Sequence, residues 1–151
     1  MAKLEPRPLE RAGTVNVPAS PLQAAAAFAT GHPVAQALPL GDGLINETYR
    51  LRTAGGPDFV LQCINPGLFP DPGAVMANIA RVTGHLARRG RPALRLVSTH
   101  GGERWHLDAG GRAWRCFHFI AGAHAWTRPP DLATARRAAE GRGQLGVVDL
   151  D

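Results

Sequence analysis

From Gly41 to Asn65 the chain reads GDGLINETYRLRTAGGPDFVLQCIN. Thr48, Tyr49, Leu51 and Thr53 give a strand-like alternation, TAGGPD is a hairpin turn, and Phe59, Val60, Leu61 and Ile64 give the next strand. The turns and the β-type runs between them commit this part of the chain to antiparallel strands. The turn that opens the segment, Gly41-Asp42-Gly43, has a further capacity. Glycine reaches positive φ and has no Cβ, so successive backbone N–H groups there can form a concavity that cradles an anion such as a phosphate. Taken alone, Gly-Asp-Gly reads first as a plain hairpin turn.

The remaining elements follow from similar signals. Residues 1–20 are rich in Pro, Ala and charge without an apolar period, which predicts a loose N-terminal arm. PLQAAAAFAT, from Pro21, predicts a short helix with Leu22, Ala25, Ala26 and Ala29 on one side and Gly31 as terminator. A first strand is expected at Val34–Leu40. Asp71-Pro72 is a helix start, Val75, Ile79, Val82 and Leu86 form an apolar stripe, and Gly90 is placed to end the helix in a left-handed conformation. The runs Ala93–Val97, Arg104–Leu107 and Ala113–Ile120, separated by THGG and DAGG, predict an antiparallel meander. The fold class is therefore α+β, a sheet of about five antiparallel strands with one long packed helix. After Ile120, AGAHAWTRPP reads as a connector, and Leu132, Ala135 and Ala139 begin a last helix.

Composition narrows the function. A net charge of +5 with a pI near 10.5 could indicate a nucleic-acid binder, but one of the 17 basic residues is Lys3 and the rest are arginines scattered along the whole chain. The densest group, Arg88, Arg89 and Arg91, falls at a helix end, where cations complement exposed carbonyls. Aromatic residues are not interleaved with the arginines, so no nucleic-acid partner is expected. The start MAKLEPRPLERAG lacks the apolar run of a signal peptide and no run of membrane-spanning length follows, which predicts a cytoplasmic protein with no membrane partner. Cys63 and Cys116 sit in separate apolar runs far from CxxC spacing. They are expected to be buried free thiols, with no metal site.

The blocks GDGLINETYRL, FVLQCIN, DPGAVMANIARVTGHL and WRCFHFIAGA, in this order, resemble the aminoglycoside phosphotransferase and choline kinase superfamily, which is protein-kinase-like. Within it they are most similar to the N-acetylhexosamine kinase branch, where a G-x-I-N-x-T turn, an L-Q-R-I-N strand and an N-I-x-x-V-T-x-H-L helix recur. The resemblance implies a kinase-like small lobe over 21–121, and a hinge connector with the first helix of a further lobe over 122–151. It implies ATP as cofactor, with Gly41, Asp42, Gly43, Leu44, Ile45, Asn46 and Thr48 in the loop over the phosphates. It also puts Phe119, Ile120 and Ala121 at the hinge, where they would bind adenine; singly, Phe117 and Phe119 also read as core residues.

In protein kinases the third strand carries a lysine to the phosphates, paired with a glutamate on the next helix. Here Gln62 stands at the lysine position and the helix offers Ala77 and Asn78. Gln62 reads equally as a neutral donor to phosphate and as a polar residue on a half-exposed strand. The branch's arginine beside it is Cys63. His106-Leu107-Asp108 spells the start of the catalytic-loop motif H-x-D-x-x-x-x-N, but position 113 is alanine and no asparagine follows Asn78, so DAGG is expected to be a hairpin turn. In the family the catalytic aspartate, the Mg²⁺ ligands and the acceptor site belong to the large lobe. The expectation is thus the ATP-binding lobe of a sugar or aminosugar kinase, truncated and inactive alone, with no catalytic or metal residue of its own. Mg²⁺ is expected only with a complete second lobe, and a complementary lobe or self-association is a possible partner. The alternative is a non-catalytic interaction module that keeps the small-lobe fold.

Overall fold

The computed structural model describes residues 20–41, 45–122 and 131–136. Its first helix, α1 (Pro21–Ala25), is fixed at its start by a reciprocal cap. The Gln23 amide donates to Ser20 Oγ at 3.3 Å, and the Ser20 amide donates to Gln23 Oε1 at 2.7 Å. The helix is shorter than the alanine run predicts. The Ala29 amide donates to the Ser98 carbonyl and the His100 amide to the Ala27 carbonyl, while Phe28 bridges Thr99. Pairing with a distant strand end thus replaces the helical bonds those groups would otherwise make. The buried side is Ala24, Ala25 and Phe28, whereas Leu22, expected in the inward stripe, is exposed.

Among the described residues six strands follow: β1 (Val34–Pro39), β2 (Glu47–Thr53), β3 (Phe59–Ile64), β4 (Leu96–Val97), β5 (His106–Leu107) and β6 (Ala113–His118). All pairings are antiparallel, in the order β1-β2-β3-β6-β4, and β5 also pairs with β6. The expected strands at Ala93–Val97 and Arg104–Leu107 shrink to two residues each. Both pair with the same strand, β4 with Phe117 and Cys116 and β5 with Trp114 and Ala113, so each has room for only part of it. The two predicted turns form as expected. Thr99 pairs back to Glu103, Asp108 pairs back to Arg112, and Gly102 and Gly111 have positive φ.

The sheet packs against helix α1 on one face and, over part of the other, against the next helix. One face presents Leu51, Phe59, Leu61, Cys63, Trp114 and Cys116, all buried, against Ala24, Ala25 and Phe28. The other face carries Ile64 and Ala113, buried with Met76 of α2 (Pro72–Arg88) and bordered by Phe69, Ile79, Leu96 and Trp105. Asp71 caps α2 by accepting from the Ala74 amide at 2.9 Å. The helix ends at Gly90, with φ +63, where the Arg91 amide donates to the Leu86 carbonyl and the Gly90 amide to the Ala87 carbonyl. The helix buries a face rotated from the predicted stripe: Met76 is 1% exposed and Val82 48%. Periodicity locates an amphipathic helix well but fixes its rotation only to about one residue, and small Ala80 and Thr83 let the Met76 side approach the sheet.

Both cysteines are buried and unbridged, as expected. Among the described residues, no helix is long and apolar enough to cross a membrane, and no group of three metal-ligating side chains occurs. A helical turn begins after Asp131, whose side chain accepts from the Thr134 amide. Residues 1–19 of the predicted N-terminal arm, most of the connector and Ala139 lie outside the described residues, while Ser20, expected in the arm, caps α1.

Candidate functional site

The predicted phosphate turn joins β1 to β2. Gly41 takes φ +75, the left-handed conformation a non-glycine residue rarely adopts, and nothing lies within 4 Å of where its Cβ would be. The Leu40 amide donates to the Thr48 carbonyl at 2.9 Å and closes the hairpin. Asp42, Gly43 and Leu44 lie outside the described residues. Ile45 is exposed and borders a cleft of about 630 Å³ that also touches Asn65, Phe69 and Trp105.

Three predicted residues are brought into one hydrogen-bonded unit. Asn46 Oδ1 accepts from the Asn65 amide at 2.9 Å and so ties the turn to the end of β3. The Thr48 hydroxyl donates to the Asn46 carbonyl at 3.4 Å, and Gln62 Nε2 donates to Thr48 Oγ1 at 3.1 Å. This follows from register, since Thr48 lies opposite Gln62 across β2 and β3. Gln62 is 2% exposed. It is therefore not the half-exposed strand residue of the bland reading.

Because side chains alternate along a strand, the face holding Thr48 and Gln62 also holds Arg50, Val60, Arg115 and Phe117. Arg115 was not singled out by sequence reasoning. It lies opposite Gln62, and its Nε donates to Gln62 Oε1 at 2.9 Å. Burial lowers its guanidinium pKa to about 10, so it remains a cation at neutral pH. The available signal was an arginine on a run otherwise made of Ala113, Trp114, Cys116 and Phe117, where a charge costs free energy unless something uses it.

At the far end of this face, the guanidinium of Arg50 stacks 4.2 Å from the centre of the Phe119 ring and is paired with Asp58 at 2.6 Å. The Phe119 amide donates to the Asp58 carbonyl at 3.1 Å. Phe119 is thus held at the end of β6, partly buried. Ile120 and Ala121 follow it as exposed residues. The structure therefore gathers Asn46, Thr48 and Gln62, keeps Phe119 on the same face, and leaves Ile120 and Ala121 at its rim.

The H-x-D decoy has a structural duty. Asp108 is 6% exposed. Its Oδ1 accepts from the Gly110 and Arg112 amides at 2.8 and 2.9 Å, and its Oδ2 accepts from Trp114 Nε1 at 2.8 Å. A carboxylate occupied in this way holds the predicted DAGG turn and a core tryptophan. The opposite sheet face also carries a surface pair, Arg112 with Glu47 at 2.7 Å, in which Arg112 lies 4.8 Å over the Trp114 ring.

A glycine turn between the first two strands, a helix after the third, and an antiparallel sheet in this order together define a protein-kinase-like small lobe. Residues 36–147 match the phosphotransferase enzyme family. The chain belongs to that family, and so to the aminoglycoside phosphotransferase and protein-kinase-like superfamily; the matched span includes the turn, β3, α2 and β6.

Proposed function

We propose that this chain is the ATP-binding lobe of a small-molecule kinase of the sugar or aminosugar type. The observation that carries this reading is the relay Asn46–Thr48–Gln62, which fixes the glycine turn to the third strand at the position where kinases hold phosphate. Its side-chain donors, the Thr48 hydroxyl and the Gln62 amide, are neutral, and it stands at the root of a glycine turn, a type of segment whose backbone N–H groups suit polyphosphate oxygens. Phe119 and the exposed backbone after it would meet the purine. Mg²⁺ would neutralise the phosphates when bound. The preference for an aminosugar acceptor comes from the L-Q-x-I-N and N-I-x-x-V-T blocks alone.

The 151 residues contain no H-x-D-x-x-x-x-N segment. We therefore propose that they bind nucleotide without transferring phosphate, the base and metal carboxylates being supplied by a second lobe on the same or another polypeptide. Isothermal titration with Mg-ATP tests the binding. The expected result is saturable heat at millimolar nucleotide together with a rise in melting temperature. A folded chain that gives neither would refute the assignment.

A further inference from the structure

A guanidinium on a mostly apolar strand is expensive to desolvate, and proteins usually offset it with a carboxylate. Arg115 has none among the described residues. Its guanidinium donates to the amide oxygen of Gln62 and lies over the face of the Phe117 ring, 5.2 Å from the guanidinium carbon. Only Nε is used by the bond to Gln62, and no buried side-chain nitrogen or oxygen of the described residues is left without a partner. The two terminal nitrogens therefore keep some contact with solvent. The ion pairs on the sheet are made by other arginines, Arg50 with Asp58 and Arg112 with Glu47.

We infer that Arg115 is a phosphate-binding residue of the nucleotide site, supplying from β6 the positive charge that β3 lacks where Gln62 replaces a basic side chain. This rests on the nucleotide-binding reading above. The geometry supports it in two ways. Gln62 sits between Arg115 and Thr48, accepting from one and donating to the other, so the cation is connected through one relay to the backbone of the turn at Asn46. Gln62 thereby acts as a positioning residue: an amide can accept from Arg115 and still donate to Thr48, whereas a lysine in its place could only donate and would repel the guanidinium. A guanidinium whose two terminal nitrogens are unbonded keeps its end-on edge for phosphate oxygens, which it can bind in bidentate fashion.

The test compares ATP with adenosine, which has no phosphate, on the full chain and on R115M, R115K and Q62E, each checked for folding by circular dichroism. Loss of a charge-assisted hydrogen-bond donor to phosphate should weaken ATP binding by about ten- to a hundredfold in R115M, with adenosine binding unchanged. R115K should recover part of the loss. Q62E places a carboxylate against Arg115 and should also weaken ATP, by pairing the cation internally without removing it. R115M relieves a desolvated charge but leaves Gln62 Oε1 without its donor, so binding is compared at a temperature below the melting transition of every variant.

If the wild-type chain binds ATP and the folded variants bind it equally well, or lose ATP and adenosine together, Arg115 is not the phosphate residue and the nucleotide reading stands. If the folded wild-type chain binds neither ligand, the nucleotide reading fails and takes this inference with it.

Discussion

Asp108 and Cys116 show how single side chains here are spent on structure while their types suggest chemistry. Asp108 closes the β5–β6 turn with one oxygen and satisfies the Trp114 indole with the other. Asp108→Ala would leave a buried N–H and two turn amides without their acceptor, and should destabilise the chain by roughly 3 kcal/mol in urea denaturation. Loss of nucleotide binding with unchanged stability would mean a functional role instead. Cys116 is fully buried, and burial pushes its thiol up to about 12 from an ordinary 9.0. Above pH 9 the unfolded chain therefore releases a proton that the folded chain keeps, and stability should fall as pH rises towards 12. Cys63 is shifted upward as well, chiefly by burial. Urea midpoints at pH 7, 9 and 10.5 should decline less steeply for Cys116→Ala than for the wild type; parallel declines would contradict the assignment. The sequence placed both cysteines in the core and made Asp108 a turn residue. It missed Arg115, because the significance of that arginine lies in its neighbour Gln62, 53 positions away, and cross-strand register is not written in local pattern.

Among the elements, α2 gives the sharpest contrast between what pattern can and cannot fix. Its start at Asp71-Pro72 and its end at Gly90 follow from local chemistry and formed as expected. Its rotation did not, because which side packs is decided by the sheet beneath it. Two glycines test the local physics with opposite signs. Gly84 lies inside the helix, and an added Cβ would meet only the far end of the Arg88 side chain at 3.5 Å. Gly84→Ala should stabilise the chain by about 1 kcal/mol. Gly90 has φ +63 with open space around it, so the cost of Gly90→Ala is conformational and should be about 1 kcal/mol in the other direction. Thermal or urea unfolding of the two variants decides this, and destabilisation by Gly84→Ala would mean that α2 packs more closely at that point than described. The shortened β4 and β5 teach a related lesson. Strand-forming composition was present over five and four residues, but length was set by the edge of β6 that the two strands share.

For the molecule as a whole, antiparallel order, the helix after β3 and the glycine turn were all readable from the chain, since each rests on short-range signals that agree with one another. The candidate site is an emergent property of register: Thr48 opposite Gln62, and Gln62 opposite Arg115, converge only once β2, β3 and β6 are side by side. One face of that sheet is committed to packing against α1. The other is divided between α2 packing near Ile64 and a polar strip that runs from Asn46 to Arg115, with Phe119 and Arg50 beyond it. We propose that this strip and the turn beside it bind the phosphates of ATP, with the purine at the Phe119 end. Backbone amide NMR of the full chain, titrated with Mg-ATP, tests it most directly. Shifts should concentrate at Gly41, Ile45, Asn46, Thr48, Gln62 and Arg115, and again from Phe119 to Gly122. Shifts confined to other regions, such as the cleft lined by Thr99, His100 and Trp105, or none at saturating millimolar nucleotide, would contradict it.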